Sequence, residues 1–288
     1  MPSRPRTALV FGASGQIGAP LVARLRTAGW RVLALSRAPQ ADGEGVHWLR
    51  GDFGTMPPLP PVVDAVFSGG PLDLFARWYA EAGIAAPRVV AFGSTSVHVK
   101  QTSGDASERD VARRLREAEA RLFEAAALRG ATATVLRPTL VYGAGRDATL
   151  TRMLALARRA GGFALPASAR GLRQPVHVED LADAAFATAS SATAGGRAYD
   201  LPGGETLAYD EMVRRVLATA RPPLRLWRLP APLFRLALGI ARTGGIARDL
   251  TGDAVRRMGE DLVFDAGPAR RDFGYAPRPF APVPGMFG

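Results

Sequence analysis

The stretch TALVFGASGQIG at residues 7–18 decides the fold. Its first five residues predict a buried strand over Thr7–Phe11, and a helical pattern begins within the glycine-rich run that follows. Gly12 permits a tight turn, Gly15 lets the backbone approach a ligand, and Gly18 allows the helix to pack closely on the strand. Amide groups at the start of such a helix bind phosphate. This strand, loop and helix predict a site for the pyrophosphate of a dinucleotide.

Short β-rich runs alternate with longer helical patterns through the first half of the chain. The predicted strands are Thr7–Phe11, Arg31–Leu35, Val46–Leu49, Val62–Phe67, Arg88–Phe92 and Thr132–Leu136. The predicted helices are Gln16–Ala28, Asp73–Ala82 and Ser107–Arg129. Such alternation is typical of parallel strands joined by right-handed crossovers. We therefore predict an α/β fold, a doubly wound parallel Rossmann sheet with helices on both faces.

The alternation loosens after Arg137-Pro138. Further elements are predicted at Thr149–Ala160, Pro175–Val178, from Glu179-Asp180, at Arg197–Leu201, Tyr209–Thr219, Ala231–Ala241, Gly252–Met258 and Leu262–Phe264. We divide the chain into a dinucleotide-binding core over 1–145, to which the chain returns near 175–200, and a smaller C-terminal substrate lobe over 146–288. Ligands of open α/β sheets bind at the carboxyl ends of the strands, so we expect the lobe to cover that edge.

The composition excludes several kinds of protein and site. The chain has 288 residues, of which 47% are hydrophobic and 22% charged, so it can build a large core and is not disordered. It contains no Cys, which rules out disulfides, Cys-ligated metals and a thiol nucleophile. The histidines, His47, His98 and His177, show no ligand spacing, so we predict no metal site. With no signal peptide and no long apolar run, we expect a soluble cytoplasmic protein.

The charge balance predicts an anionic ligand. Lys and Arg total 37 against 26 acidic residues, a formal net charge of +11, and Lys100 is the one lysine. We expect no nucleic-acid partner, because the arginines spread along the whole chain and do not alternate with aromatic residues. We expect a small-molecule substrate of negative charge, since the positive field attracts phosphates. The assembly is left open, a homodimer included.

The end of the second predicted strand bears on the choice between the two pyridine dinucleotides. It reads Leu35-Ser36-Arg37, and a hydroxyl followed by a guanidinium suits the 2′-phosphate of NADP. We predict NADP and keep NAD as the alternative, because Arg37 can also be a solvated surface residue and Asp42 lies nearby. Asp52, after the third strand, is placed either to hydrogen-bond the adenine or to close a turn. The predicted cofactor residues are Gly12, Ser14, Gly15, Gln16, Ile17, Gly18, Ser36, Arg37, Asp52, Ser68 and Gly69.

Motifs along most of the chain resemble those of one enzyme superfamily. They are the glycines at 12, 15 and 18, Leu136-Arg137-Pro138 with Val141-Tyr142-Gly143, the run VHVEDLA at 176–182, and the run YDLPGGE at 199–205. In these the sequence resembles the extended branch of the short-chain dehydrogenase/reductase superfamily, of the NAD-dependent epimerase/dehydratase type. The resemblance implies a Rossmann core, a bound nicotinamide cofactor and a substrate that is often a nucleotide-linked sugar.

The resemblance also assigns a catalytic hydroxyl. In the family this residue follows the fifth strand, four places before an aromatic position, which selects Ser94 and puts His98 where tyrosine is usual. Ser94 would hydrogen-bond the substrate oxygen as hydride moves at the adjacent carbon. The alternative is a serine that only caps the turn after a buried strand.

The chain departs from the family in the helix that follows. The family's base is a tyrosine four residues before a lysine, and the helix over 107–119 contains neither residue. Counting back from Glu119 puts the lysine position at 113–115 and the tyrosine position at 109–111. We assign Arg113 or Arg114 in place of the lysine as the cation that binds the cofactor ribose, although arginine and lysine are not equivalent.

Three interpretations of this altered site stay open. The first is a reductase, epimerase or dehydratase acting on a hydroxyl or carbonyl group, with His98 or Asp110 as the proton carrier. The second is a catalytically inactive NADP-binding sensor or assembly protein. In the third, Tyr142 or Tyr209 reaches the site. For His98 a packed, neutral role is the alternative, and His177 is predicted to pack at a strand end.

The segment Leu224–Ile240 mixes apolar residues with three arginines. We predict a lobe helix whose apolar stripe lies in the core, and therefore no stable membrane attachment. The alternative is a basic amphipathic element that contacts an anionic membrane or a lipid-linked substrate.

Overall fold

The computed structural model of the protein describes residues 4–147, 149–243 and 251–287. The strands are β1 Thr7–Phe11, β2 Arg31–Ser36, β3 Val46–Arg50, β4 Ala65–Ser68, β5 Arg88–Phe92, β6 Thr132–Pro138, β7 Val141–Tyr142, β8 Gly162–Pro166, β9 Leu172–Arg173, β10 Val176–His177, β11 Arg197–Leu201, β12 Leu207–Ala208 and β13 Arg225–Leu229. The helices are α1 Gly18–Thr27, α2 Leu72–Glu81, α3 Ser96–Val99, α4 Ala106–Leu128, α5 Leu150–Ala160, α6 Val178–Ser190, α7 Tyr209–Ala218, α8 Ala231–Thr243, α9 Gly252–Arg257 and α10 Gly267–Phe273.

Seven of these strands form one parallel sheet in the order β11-β6-β5-β4-β1-β2-β3. The connections change direction at β1, which pairs with β2 on one side and β4 on the other. In a sheet of this kind the ligand crevice lies beyond the carboxyl ends of the strands at that point. The predicted doubly wound Rossmann fold is confirmed.

The pleat of β1 shows how the sheet is buried on both faces. Ala8 and Val10 enter the layer that α1 and α6 cover, whereas Leu9 and Phe11 enter the layer beneath α2 and α4. All four side chains are fully buried. Side chains alternate between the two faces of a strand, so a run that is apolar at every position needs helices on both sides.

A third apolar cluster forms the core of a smaller lobe. It joins α5, α7, the β8–β13 pair and the C-terminal segment around Phe280. The chain enters this lobe more than once. Between the lobe elements α5 and α7 it returns to the large sheet, where α6 packs on α1 and β11 is an edge strand. The division of the chain at residue 145 stays a prediction.

The lobe differs most from the elements predicted for it. Leu262–Phe264 is not a strand, because its amide groups donate to a backbone oxygen of Leu172 at 2.9 Å and to the side chain of Gln174 at 2.8 Å. The two-residue strands β7, β9 and β12 were not predicted, and neither were β8, β13 and α10. Two-residue strands are too short to show an apolar period.

The segment Leu224–Ile240 forms β13 and most of α8. Phe234 is buried, as an apolar stripe in the core requires, but Leu233, Leu236 and Ile240 are 54%, 64% and 66% exposed. The expectation that the whole stripe lies in the core was therefore wrong for one side of this helix. None of the described helices is long and apolar enough to cross a membrane.

Replacing Leu122 with Ala is expected to lower the free energy of unfolding by about 2–5 kcal/mol, because this α4 side chain is fully buried against the sheet. The control is Leu128→Ala in the same helix, where the side chain is 83% exposed and a change within about 0.5 kcal/mol is expected. Urea denaturation of both variants measures the difference, and equal losses would contradict this packing of α4.

Candidate functional site

The glycine loop between β1 and α1 is built by close backbone contacts. Gly12 has a φ of +66°, and a Cβ there would lie 3.1 Å from the carbonyl carbon of Gly69. The Gly15 amide donates to the Gly12 carbonyl oxygen at 2.8 Å, and any Cβ on Gly18 would overlap that oxygen. Ile17 is buried in the core below the loop. The loop therefore turns tightly from β1 into α1, and the first amides of a helix have no carbonyl partner within it and can bind an anion.

Two polar atoms beside this loop are buried without a hydrogen-bond partner among the described residues. They are Gln16 Oε1 in the loop and Ser68 Oγ at the end of β4. A buried polar atom that stays unpaired costs about 1–3 kcal/mol. Ligand groups that bind at the loop can satisfy such atoms, so the residues present fit a pyridine dinucleotide.

The end of β2 carries a hydroxyl and two nearby guanidinium groups. Ser36 is buried, and its hydroxyl lies 3.0 Å from that of Ser14 in the loop. Arg37 is exposed, and Arg50 at the end of β3 stands in register with Ser36. Arg50 was not predicted from the sequence, because its place beside Ser36 depends on strand register.

Two acidic residues near the end of β2 accept hydrogen bonds from their own loops. Asp42 accepts hydrogen bonds from the Trp48 amide and from His47, both at 2.7 Å, and these bonds lower the pKa of its carboxyl. Asp52 accepts from the amides of Gly54 and Thr55 through Oδ1, at 2.8 and 2.9 Å. Asp52 therefore closes a turn, and its contact with adenine stays a prediction.

Ser94 and His98 lie one helical turn apart beyond the end of β5. The Ser94 hydroxyl accepts a hydrogen bond from the Ser96 amide at 3.1 Å, at the start of α3. His98 Nε2 lies 3.2 Å from Asp200 Oδ1 and 3.2 Å from Arg137 Nη1. Nε2 of the imidazole thus lies between a carboxylate and a guanidinium.

An ion pair between the half-buried Arg137 and the buried Glu119 contacts this histidine. Arg137 Nε donates to Glu119 Oε1 at 2.8 Å, and Nη2 donates to the second carboxylate oxygen. Burial lowers the pKa of Arg137, but its bonds to Glu119 outweigh that effect and the pKa is raised. Sequence reasoning did not assign roles to Arg137 or Asp200. Both lie in the motifs quoted above, but only the parallel register of β6 and β11 brings them together.

The ion pair also sets the rotation of α4. Glu119 is buried, and the half-buried Leu115 and Val111 lie one and two turns earlier along the helix. These two positions have the spacing of the family's lysine and tyrosine. An aliphatic side chain at each of them supplies neither a cation nor a phenol.

Arg113 and Arg114 lie on the exposed part of α4. Arg113 bonds to Asp110 and Glu117, and Arg114 bonds to Asp110 at 2.9 Å and approaches Asp73 at 3.4 Å. These contacts are with helix acids rather than with Ser94 or His98, and the catalytic assignment of both arginines stays a prediction. The bond from Arg113 lowers the pKa of Asp110, which keeps this carboxyl ionised.

The two tyrosines considered as replacements have packing roles in the lobe. Tyr142 is buried, and its ring meets His177 edge-on at 5.1 Å. Tyr209 lies under the Arg173 guanidinium at 5.0 Å. His177 accepts from the Glu179 amide at the start of α6, and burial lowers its pKa, so it acts as a neutral helix cap.

A cavity of about 380 Å³ lies between α4 and the lobe. Val111 and Arg114 line it from α4, Lys100 from the end of α3, and Thr251 from the start of α9. The lobe is fastened beside it by Arg257, which donates to both oxygens of Glu108 at 2.5 Å. The cavity thus adjoins Val111, the earlier of the two aliphatic positions on α4.

This sheet and its glycine loop give the chain a Rossmann-like α/β fold, and comparison with known proteins agrees with the resemblance found in the motifs. No family model matches the chain. The 2-alkyl-3-oxoalkanoate reductase of Stenotrophomonas maltophilia (strain K279a) is 28% identical over 94% of this chain and 94% of its own.

Solved structures agree in fold at low identity. MoeE5 in complex with UDP-glucose and NAD has a TM-score of 0.68 at 22% identity, covering 94% of this chain and 93% of its own. An epimerase from Methanothermobacter thermautotrophicus has a TM-score of 0.69 at 15% identity, covering 95% of this chain and 88% of its own. The UDP-glucuronic acid 4-epimerase from Bacillus cereus has a TM-score of 0.67 at 12% identity, covering 94% and 93%. Identities this low establish the shared fold.

Replacing Arg137 with Leu is expected to lower the free energy of unfolding by about 3–5 kcal/mol, because Glu119 would stay buried without its partner. The double variant Arg137→Leu, Glu119→Leu is expected to recover most of that loss, since no buried charge remains. Chemical denaturation of the wild type, both single variants and the double variant measures the coupling. Additive losses would show that the two side chains do not act as a pair.

Proposed function

We propose that the protein is an NADP(H)-dependent enzyme that reduces a carbonyl group or oxidises a hydroxyl group of an anionic small molecule. The observation that carries this proposal is the glycine loop, with the unpartnered Gln16 Oε1 and Ser68 Oγ beside it, at the same sheet edge as Ser94 and His98. Parallel strands end together at this edge, so a cofactor on the loop extends toward Ser94.

Three features favour NADP over NAD. Ser36 offers a hydroxyl, Arg37 is exposed beside it, and Arg50 stands in register on the next strand. The nearby carboxylate of Asp42 is bonded within its own loop, so it does not serve as the acid that accepts from the ribose of NAD. A guanidinium binds phosphate through paired, charge-assisted hydrogen bonds. NAD, which MoeE5 binds, is the alternative.

Two substrate classes follow from the comparisons. The curated relative is a reductase of 2-alkyl-3-oxoalkanoates, and MoeE5 is seen with UDP-glucose. A keto acid and a nucleotide sugar both combine a carbonyl or hydroxyl group with negative charge, which suits a chain with a net charge of +11. We favour reduction of a keto acid, because that relative shares the higher sequence identity.

The chain's own residues supply the polar half of the reaction. The bound nicotinamide supplies the hydride for carbonyl reduction. Ser94 donates a hydrogen bond to the substrate oxygen, where negative charge develops. That oxygen then needs one proton, and we assign the donor to protonated His98 in place of the missing tyrosine. In the protonated imidazole, Nε2–H donates to Asp200 Oδ1 and cannot accept from Arg137, so the Nδ1 proton is the one assigned to the substrate.

The second candidate is a protein that binds NADP without turnover and acts as a sensor or assembly factor. One observation favours it: α4 has neither tyrosine nor lysine, and its Val111 and Leu115, which have the four-residue spacing of that pair, are aliphatic. Binding and activity therefore need separate tests.

The cofactor is tested by titrating the protein with NADPH and NADH. NADPH is expected to bind about 10–100-fold more tightly, because charge-assisted hydrogen bonds to the 2′-phosphate are worth about 1.5–3 kcal/mol. Arg37→Ala is expected to remove most of that preference, whereas Arg159→Ala, an exposed arginine on α5, leaves it unchanged. Equal affinity of the wild type for NADPH and NADH would refute the preference for NADP. Binding of neither nucleotide would refute the proposed function.

Catalysis is tested with a panel of keto acids and nucleotide sugars in the presence of NADPH. With an accepted substrate, Ser94→Ala and His98→Gln are each expected to lower kcat about 100-fold or more while NADPH binding persists. His47→Gln, at an exposed histidine on β3, is the control. Wild-type turnover by Ser94→Ala would refute its assignment, and NADPH binding without turnover of any substrate would favour the sensor.

A further inference from the structure

An arginine from the lobe side of the molecule reaches the glycine loop. Arg146 follows β7 on the segment that leads into α5, and its Nη1 donates to the Ser14 backbone oxygen at 2.7 Å. Ser14 lies 132 residues earlier in the chain, in the middle of the Gly12–Gly18 loop. The contact therefore joins the lobe segment to the loop that is proposed to hold the cofactor phosphates.

The backbone of Arg146 is held in place by its neighbours. Asp147 is buried, and its carboxylate accepts from the Leu150 amide at 2.5 Å and from the Thr151 hydroxyl at 2.7 Å at the start of α5. Gly143 has a φ of +112° and packs so closely on the His177 ring that a Cβ would overlap it. The segment is thus fixed at both ends, which aims the guanidinium at the loop.

The loop itself provides no cationic side chain, since residues 12–18 read GASGQIG. A pyrophosphate carries two negative charges, and the helix amides of the loop offer only partial positive charge. The Arg146 guanidinium has five N–H donors, and its single hydrogen bond within the described part of the chain goes to the Ser14 oxygen. Donors remain for a paired interaction with phosphate oxygens.

We propose that Arg146 binds the pyrophosphate of the dinucleotide and so ties the lobe segment at 143–147 to the glycine loop. This inference rests on the proposed function, because it takes the same cofactor as ligand. It adds a residue outside the loop to the phosphate site. Arginine suits the role better than lysine, because its planar fork can hold the Ser14 oxygen and a phosphate at once.

The test compares two ligands that differ in the pyrophosphate. Calorimetry measures the Kd of NADPH and of adenosine 2′-monophosphate, which has a 2′-phosphate but no pyrophosphate. Arg146→Ala is expected to raise the Kd of NADPH about 10–100-fold and leave that of adenosine 2′-monophosphate unchanged. Arg146→Lys should recover part of the NADPH affinity. Arg37→Ala should weaken both ligands, and Arg159→Ala neither.

Each outcome separates this inference from the proposed function. Wild-type affinity of Arg146→Ala for NADPH would overturn the role of Arg146 while the cofactor assignment stands. Equal weakening of both ligands, or a lower melting temperature of the free variant with full recovery by Arg146→Lys, would show a structural role and overturn it as well. A wild type that binds no NADPH would overturn both proposals together.

Discussion

The contact between Gly18 and the Gly12 carbonyl oxygen is the constraint on which the rest of the site depends. There is no room for a side chain at that point, so α1 begins directly against the end of β1. Gly69 and Gly70 close in on Gly12 from β4, which brings the next strand end to the same place. The same close contacts therefore pack the helix on the strand and bring the start of α1 to the carboxyl edge of the sheet.

A second constraint comes from the buried pair of Arg137 and Glu119. It joins the end of β6 to the inner face of α4 and carries His98 and Asp200 above it. The helix α4, which carries Glu119, contains neither tyrosine nor lysine. The proposed reaction therefore takes its proton from His98, which Arg137 contacts, rather than from a tyrosine of α4.

Local sequence was enough to predict the core of the fold and the loop. The predicted bounds of β1 and β5 agree with the structure because each strand has four consecutive apolar residues followed directly by a glycine. The lobe was less predictable, since short pairs such as β9 with β12 depend on contacts between distant segments. Leu262–Phe264 has the composition of a strand, but its amides find a side chain and one carbonyl instead of a neighbouring strand.

Some residues of the candidate site were predictable from local sequence, and others depend on contacts between distant segments. The three glycines and Ser94 follow from local motifs, whereas the approach of His98 to Asp200 spans 102 residues and that of Arg146 to Ser14 spans 132. No local pattern reveals such pairs. The rotation of α4 was also undetermined within a few residues, because Glu119 anchors it only once its partner on β6 is known.

A lysine that lines the cavity allows selective chemical labelling of this chain. Lys100 is the single lysine of the sequence, and its ammonium lies 3.7 Å from Glu108 on the cavity wall. Arginine does not react with the acylating reagents that modify amines, so the positive charges elsewhere do not compete for them. A fluorophore coupled through an amide would find one side-chain target, at the cavity between α4 and the lobe, without any residue being introduced by mutation.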